Sequence, residues 1–168
     1  MGGQAIRLGD GQAIHHSGGL GAMGFSLPTA IGIAVASRTK TVVIAGDGGM
    51  QINIQELDTI KRMALDFLIV VLNNQSLGMV KNFQDLYFDG RDRSTRIGYS
   101  APSFANVAAA YGISSVSVTS QDSISSAFSN AVSAKGPQLI EVIMEGATEC
   151  RPRVSFGNKL DEPSPQDL

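Results

Sequence analysis

The stretch that decides the fold is residues 41–74, TVVIAGDGGMQINIQELDTIKRMALDFLIVVLNN. It opens with a short apolar run at 41–45 and closes with a second run at 67–72, and no charged residue interrupts either. Such runs are typical of strands buried on both faces of a parallel sheet. Between them, residues 50–65 place apolar side chains mostly at three- and four-residue spacing, which predicts a one-sided helix. The unit is therefore a strand, a crossover helix and a second, parallel strand.

Two oxygen-bearing side chains stand where these strands end. Asp47 follows the first apolar run after Gly46, and Asn74 follows the second. Parallel strands end at one edge of a sheet, the edge where open α/β sheets bind ligands, so we expect the two side chains to lie close together. Carboxylate and carboxamide oxygens suit Mg²⁺ or Ca²⁺, and the glycines beside Asp47 allow phosphates to approach the backbone. An ordinary Asp-Gly turn beside an Asn-Asn strand exit fits the local pattern equally well.

Further segments narrow the assignment. They read SGGLGAMGFSLPTAIG at 17–32, NIQEL at 53–57 and LNNQSLGMVKNFQDLYF at 72–88. With the Gly46-Asp47-Gly48 motif, they resemble the C-terminal, diphosphate-binding domain of thiamine-diphosphate enzymes of the acetolactate synthase large-subunit type. The resemblance covers about residues 4–146. It implies an α/β fold, a three-layer doubly wound parallel sheet with helices on both faces, and it implies thiamine diphosphate and Mg²⁺ as cofactors.

The resemblance also implies which residues form the site. The metal ligands would be Asp47, Asn74 and the backbone carbonyl of Ser76. Met23 would wedge under the cofactor, although core filling is methionine's commonest use. Phe83 stands where acetolactate synthases often carry tryptophan, which makes it a candidate for the substrate pocket. The implied cofactor-binding set is Gly21, Met23, Gly46, Asp47, Gly48, Gly49, Asn74, Ser76, Leu77, Gly78 and Met79.

The implied activity is decarboxylation of a 2-keto acid such as pyruvate, followed by ligation of the product to a second keto acid. No side chain reads as the catalytic base, and the activating glutamate is expected on the family's pyrimidine-binding domain. That domain is absent from this sequence, so we expect the chain to be inactive without it, and we expect a homodimer or larger assembly. The alternatives are another thiamine-diphosphate decarboxylase or lyase, and a non-catalytic diphosphate- or nucleotide-binding module.

The chain is predicted to consist of three parts. Residues 1–16 are predicted to be an N-terminal segment at a truncated domain start, residues 17–146 the thiamine-diphosphate-binding domain, and residues 147–168 an extended tail. Residues 19–24 match the dinucleotide pattern G-x-G-x-x-G. However, no buried strand precedes Gly19, and Pro28 would fall in the first turns of the phosphate-binding helix.

Composition limits the partners. The 168 residues are 43% hydrophobic and 17% charged, which predicts one globular domain. A net charge of −2 without a basic run argues against nucleic acid. No apolar run approaches the roughly 20 residues of a membrane span. The single cysteine, Cys150, cannot form an internal disulfide, which fits a reducing, cytoplasmic setting.

The remaining polar candidates are given structural roles. His15 and His16 are adjacent and point to different sides, so we predict surface histidines, one of them a candidate to line the site. Glu56 is predicted to be solvated or to cap its helix. Residues 89–102 are predicted to form a mobile loop. The rest is predicted to be helical at 28–37, 80–88, 103–111 and 123–134, with strands at 115–118 and 138–144.

Overall fold

A computed structural model of the chain describes residues 6–144, 153–154, 157–159 and 161–162. Cys150 and most of the predicted tail lie outside these residues. The elements, in chain order, are α1 (Ser26–Ser37), β1 (Thr41–Gly46), α2 (Asp47–Ile52), α3 (Glu56–Arg62), β2 (Phe67–Asn73), α4 (Gly78–Tyr87), α5 (Phe104–Ala110), β3 (Ser114–Val118), α6 (Gln121–Ser133) and β4 (Gln138–Ile143).

The four strands form one parallel sheet in the order β1-β2-β4-β3. In the register of β1 against β2, Gly46 lies opposite Leu72, so the two strands end almost level with each other. This arrangement confirms the strand-helix-strand unit predicted from residues 41–74. It also brings the residues that follow β1 and β2 to one edge of the sheet.

Helices cover both faces of the sheet, as predicted. On one face, Phe67 and Ile69 of β2 belong to a large apolar cluster with residues of α1, α3 and α5. On the other face, Leu68 packs with Ile140 and Ala131 beneath α6. Since β2 is buried on both sides, its sequence is an unbroken apolar run rather than an alternating one. The same prediction is wrong for β1: it is an edge strand of the sheet and exposes Val42 and Ile44 on one face.

The single helix predicted over residues 50–65 is wrong. The chain instead forms α2 and α3, with residues 53–55 between them. Asn53 leaves the helical conformation, at φ −126°, and its side-chain amide donates to the carbonyl of Gly24 at 2.6 Å. The apolar spacing still holds in α3, which buries Leu57 and Ile60. Because α2 begins earlier than predicted, Asp47 lies in its first turn.

The other predicted elements are found, with ends shifted by a few residues. Two shifts have a local cause: the Ser103 side chain accepts from the Asn106 N–H and starts α5 one residue late, while Ser120 and Ser123 form a capping box that starts α6 early. Residues 89–102 form turns without a helix or strand. None of the helices in the described residues combines the length and apolar character that crossing a membrane requires.

Gly24 provides a test of this packing. Its φ is +82°, and an added Cβ would lie 2.7 Å from Ile52 Cγ2 and 2.8 Å from Asn53 Nδ2. We expect Gly24→Ala to lower the free energy of unfolding in urea by about 1–3 kcal/mol, because strain and crowding act together.

The matched control is Gly32→Ala in α1, where an added Cβ meets nothing within 4 Å. There alanine should raise stability by about 0.5–1 kcal/mol, since glycine is the poorer helix former. Equal effects of the two substitutions would contradict the packing described for Gly24.

Candidate metal and diphosphate site

Asp47 is the centre of the candidate site. Asp47 is only 2% exposed, and it is the first residue of α2, directly after the end of β1. One carboxylate oxygen, Oδ1, accepts from the Gly48 N–H at 2.8 Å. The other, Oδ2, accepts at 3.1 Å from the N–H of Ser76, which follows the end of β2. The carboxylate therefore joins the two strand ends that the sequence placed at one edge.

The charge of Asp47 has no basic partner. No lysine, arginine or histidine within the described ranges forms an ion pair with it. Burial raises the pKa of Asp47, and the surrounding backbone N–H donors, from Gly48, Ser76 and Gln75, offset only part of that rise. A bound cation would favour the ionised form of this carboxylate.

The other two predicted metal ligands lie in residues 74–77, which we call the 74–77 loop. Asn74 is half-buried, and a Cβ added to Gly78 would lie 3.0 Å from its Nδ2. The Ser76 carbonyl accepts from the Gly78 N–H at 2.9 Å, which leaves one of its lone pairs for another partner. Ser76 therefore contacts Asp47 directly, and Asn74 lies two residues before it in the same loop.

A second anchor holds the far side of the 74–77 loop. The Ser76 hydroxyl and the Leu77 N–H both donate to the carbonyl of Thr95, at 2.9 and 2.8 Å. Thr95 is itself buried in the segment 89–102, which sequence reasoning treated only as a mobile loop. This segment is therefore part of the structure that fixes the loop.

Small and apolar residues line the space around Asp47. A Cβ on Gly48 would lie 2.3 Å from Leu77 Cδ2 and 3.5 Å from Met23 Sδ, so only glycine fits there without a shift. Met23 is 50% exposed, which excludes a core-filling role for it. Gly49 adjoins the backbone nitrogen of Gly24. The predicted site residues Met23, Gly48 and Leu77 are therefore neighbours in the structure.

The remaining predicted site residues lie in the turn before α1, at the end of β1 and in α4. Gly21 closes a turn by donating its N–H to the Ser17 carbonyl at 2.7 Å. Gly46 is the last residue of β1, and Met79 lies exposed in the first turn of α4. Phe83 is half-exposed on α4, with its ring centroid 4.8 Å from that of Tyr87.

The polar candidates given structural roles are exposed or make contacts close to their own positions in the chain. His15 and His16 are exposed, and the His16 ring lies against Gly18 in its own turn. Glu56 is half-buried in the first turn of α3 and accepts from the Thr59 hydroxyl at 2.9 Å, but it does not cap the helix, whose N-cap residue is Gln55. Within the described residues, no cluster of three or more histidine, cysteine, aspartate or glutamate side chains is arranged to hold a metal.

Sequence reasoning missed two polar groups near the site. Glu141, in β4, is 1% exposed and contacts Asn73 at the end of β2. A charged residue inside the apolar run QLIEVIM was the available signal. Tyr99 accepts from Gln51 at 2.9 Å, and its pKa is raised by burial and by the Asp47 charge. Nothing in the sequence around Tyr99 indicated its position.

The residues present fit a divalent cation with a diphosphate. A carboxylate, an amide oxygen and a backbone carbonyl are the oxygen ligands that Mg²⁺ prefers, and its remaining positions commonly go to phosphate and water. Asp47 is buried and has no basic partner in residues 6–144 or the other described residues, and Gly48 leaves the adjacent backbone uncovered by a Cβ. This combination separates the site from an ordinary Asp-Gly turn, which is exposed and needs no counter-charge.

Comparison with known proteins identifies the family of the chain. The family model described as the thiamine pyrophosphate enzyme C-terminal TPP binding domain matches residues 1–142. The chain is 37% identical over 143 residues to an acetolactate synthase of Arthrospira platensis, covering 84% of this chain. It is 41% identical over 147 residues to the acetolactate synthase isozyme 2 large subunit of Escherichia coli K12, covering 87% of this chain. It spans about a quarter of the length of each, 25% and 27%.

A solved structure has the same fold. The thiamine diphosphate-dependent 4-hydroxybenzoylformate decarboxylase of Rhodococcus jostii RHA1 matches with a TM-score of 0.69 and 28% sequence identity. The match covers 75% of this chain and 24% of that one. The family model matches most of the chain, and the sheet and helices agree with it. The chain therefore belongs to the thiamine pyrophosphate enzyme family and corresponds to its C-terminal TPP binding domain.

Proposed function

We propose that this chain binds the diphosphate of thiamine diphosphate through Mg²⁺, as part of an acetolactate-synthase-like enzyme. The observation that carries the proposal is the Asp47 carboxylate, which is buried, is shared between two strand ends and has no basic partner among the residues that the structure describes. In this proposal the cation is held by Asp47, by the Asn74 side-chain oxygen and by the Ser76 carbonyl. The acetolactate synthase relatives at 37% and 41% identity support the enzyme class.

The remaining predicted residues have binding and orienting roles in this proposal. Gly46, Gly48 and Gly49 let the diphosphate approach the backbone, and Leu77, Gly78 and Met79 form a wall of the site. Met23, with Gly21 beside it, supports the cofactor from below. When bound, thiamine diphosphate supplies the nucleophilic carbon that adds to a 2-keto acid and takes up the electron pair released with carbon dioxide.

The proposed reaction decarboxylates a 2-keto acid such as pyruvate and ligates the product to a second keto acid, as in branched-chain amino acid biosynthesis. A pyrimidine-binding domain, on the same full-length chain or on a separate subunit, supplies the activating glutamate, and the chain is inactive without it. The relatives, of which the chain spans about a quarter, support such a larger enzyme. The proposed setting is a cytoplasmic homodimer or larger assembly.

A second candidate is a decarboxylase or lyase of the same family. The observation that favours it is Phe83, where acetolactate synthases often carry tryptophan. Phe83 lines a cavity of about 310 Å³ together with Gln84, Phe88 and Arg91, which is a suitable place for a substrate side chain. Product analysis with pyruvate, in the enzyme completed by its pyrimidine-binding domain, separates the two. Acetolactate supports carboligation, and acetaldehyde alone supports the decarboxylase.

Calorimetric titration with thiamine diphosphate tests the binding proposal against a non-catalytic module for other ligands. We expect binding that requires Mg²⁺ and that is lost in EDTA. Asp47→Ala should weaken it by about 100-fold or more, because the metal loses its one charged ligand.

The control is Asp58→Asn on α3, which removes an exposed carboxylate in a weak pair with Arg62 and should bind as the wild type does. Circular dichroism verifies that both variants are folded. Binding that is the same in EDTA as in Mg²⁺, or that survives Asp47→Ala, would rule out the proposed site.

The raised pKa of Asp47 predicts a pH dependence of stability in the metal-free chain. The folded state holds this proton more tightly than the unfolded state, so stability declines as the pH rises through the folded pKa, above the ordinary range of aspartate. We expect the free energy of unfolding of the wild type, relative to Asp47→Asn, to fall as the pH is raised above about 4, the ordinary pKa of aspartate.

Subtracting the free energy of unfolding of Asp47→Asn from that of the wild type removes the contributions of all other titrating groups. These include Glu141, whose pKa is shifted in the opposite direction. Urea denaturation in metal-free buffer at several pH values provides the measurement. A wild-type difference that stays constant across these pH values would show that Asp47 is not held in a costly ionised state.

A further inference from the structure

Glu141 is a buried carboxylate that the proposed cofactor site does not use directly. It lies in the middle of β4, is 1% exposed and accepts hydrogen bonds from three elements. Its Oε2 accepts from the Ala105 N–H at 3.1 Å, from the Ser117 hydroxyl at 2.9 Å and from the Ser103 hydroxyl at 3.3 Å. Its Oε1 accepts from Asn73 Nδ2 at 2.8 Å.

The set of donors requires a carboxylate at this position. Burial favours the neutral acid, but the hydrogen bonds from Asn73, Ala105, Ser117 and Phe104 together outweigh it, so the pKa of Glu141 is lowered. A glutamine would offer one acceptor oxygen and turn an NH₂ group toward other donors. Such a group at the centre of a strand needs a reason beyond filling the core, since apolar residues pack there without desolvation cost.

The hydrogen bonds continue from Glu141 to the 74–77 loop. Asn73 Oδ1 accepts from the Gln75 N–H at 3.2 Å and from Gln75 Nε2 at 2.9 Å. The Gln75 Oε1 also accepts a hydrogen bond from the Ala101 N–H at 3.1 Å. We call the three residues Glu141, Asn73 and Gln75 the Glu141 network.

Gln75 adopts a backbone conformation that a non-glycine residue seldom adopts. Its φ is +53°, in the left-handed region, and this costs free energy unless the surroundings hold it. The two hydrogen bonds to Asn73 are such a constraint. The reversal at Gln75 lies between Asn74 and Ser76, the two residues of the loop that are proposed to bind the metal, so the network fixes the turn that presents both.

We propose that Glu141 is a positioning residue for the metal, acting through Asn73 and Gln75 to hold Asn74 and Ser76 in place beside Asp47. This inference rests on the proposed function of the site. The Ser76 N–H bond to Asp47 and the Thr95 anchor fix the far end of the loop, and the Glu141 network fixes the near end. Removal of the network leaves the ligands present but free to move.

Three variants test the proposal through the Mg²⁺ concentration that half-saturates thiamine diphosphate binding. Gln75→Ala keeps the Cβ and the left-handed cost while removing the amide, so the fold should survive. We expect it to require about tenfold more Mg²⁺, and Glu141→Gln about 10- to 100-fold more, as is usual when partners of metal ligands are removed. The control, Leu139→Ala, truncates a neighbouring buried residue of β4 outside the network.

The control separates positioning from general stability. Leu139→Ala should lower the urea midpoint as much as Glu141→Gln does, yet keep the half-saturating Mg²⁺ concentration within about twofold of the wild type. The double variant Glu141→Gln/Gln75→Ala should require less Mg²⁺ than the product of the two single effects predicts, because both act through one set of bonds. If Glu141→Gln does not fold, Asn73→Ala replaces it in the same comparison.

Each outcome decides one proposal. If the wild type shows no Mg²⁺-dependent binding, the proposed function fails. If the wild type binds but Gln75→Ala and Glu141→Gln bind Mg²⁺ as it does, only the positioning role is overturned. The same holds if Leu139→Ala weakens Mg²⁺ binding as strongly as the network variants, since the effect would then follow stability alone.

Discussion

The hydrogen bond from the Ser76 N–H to the Asp47 carboxylate, at 3.1 Å, links the two strand ends on which the candidate site depends. It joins the first turn of α2 to the loop after β2, and it does so with a buried charge that has no basic partner within the described part of the chain. A buried carboxylate in this state is costly, and the proposed cation would offset that cost. The parallel register of β1 and β2 makes the link possible, because both strands end at the same height.

The sequence was sufficient for the sheet edge and for the pairing of Asp47 with the 74–77 loop. Unbroken apolar runs at β1 and β2 predict parallel strands, and parallel strands leave their following residues together. The run at β1 did not show that this strand lies at the sheet edge with Val42 and Ile44 exposed. The helix between them was less predictable. Its apolar spacing continues through residues 53–55, and the break there depends on a hydrogen bond from Asn53 to Gly24, 29 positions away. A contact of this range leaves no signal in local periodicity.

The polar groups behind the site were missed for a related reason. Glu141 stands out in its strand, but its donors come from β2, β3 and the start of α5 with its N-cap Ser103, which only the folded chain brings together. Thr95 belongs to a segment with no periodicity, yet its carbonyl holds both Ser76 and Leu77. Candidate metal ligands could therefore be proposed from strand ends and from family resemblance. The residues that hold the ligands in position could not.

The central claim is that a divalent cation with thiamine diphosphate binds between Asp47 and the 74–77 loop. Paramagnetic broadening by Mn²⁺ tests it most directly, because the effect depends steeply on distance from the metal and is read at each backbone amide by NMR. With thiamine diphosphate and sub-stoichiometric Mn²⁺, the account predicts that the amide signals of Gly48 and Ser76 broaden first and that excess Mg²⁺ restores them. Broadening that leaves both signals sharp, or that centres on the exposed His15 and His16, would contradict it.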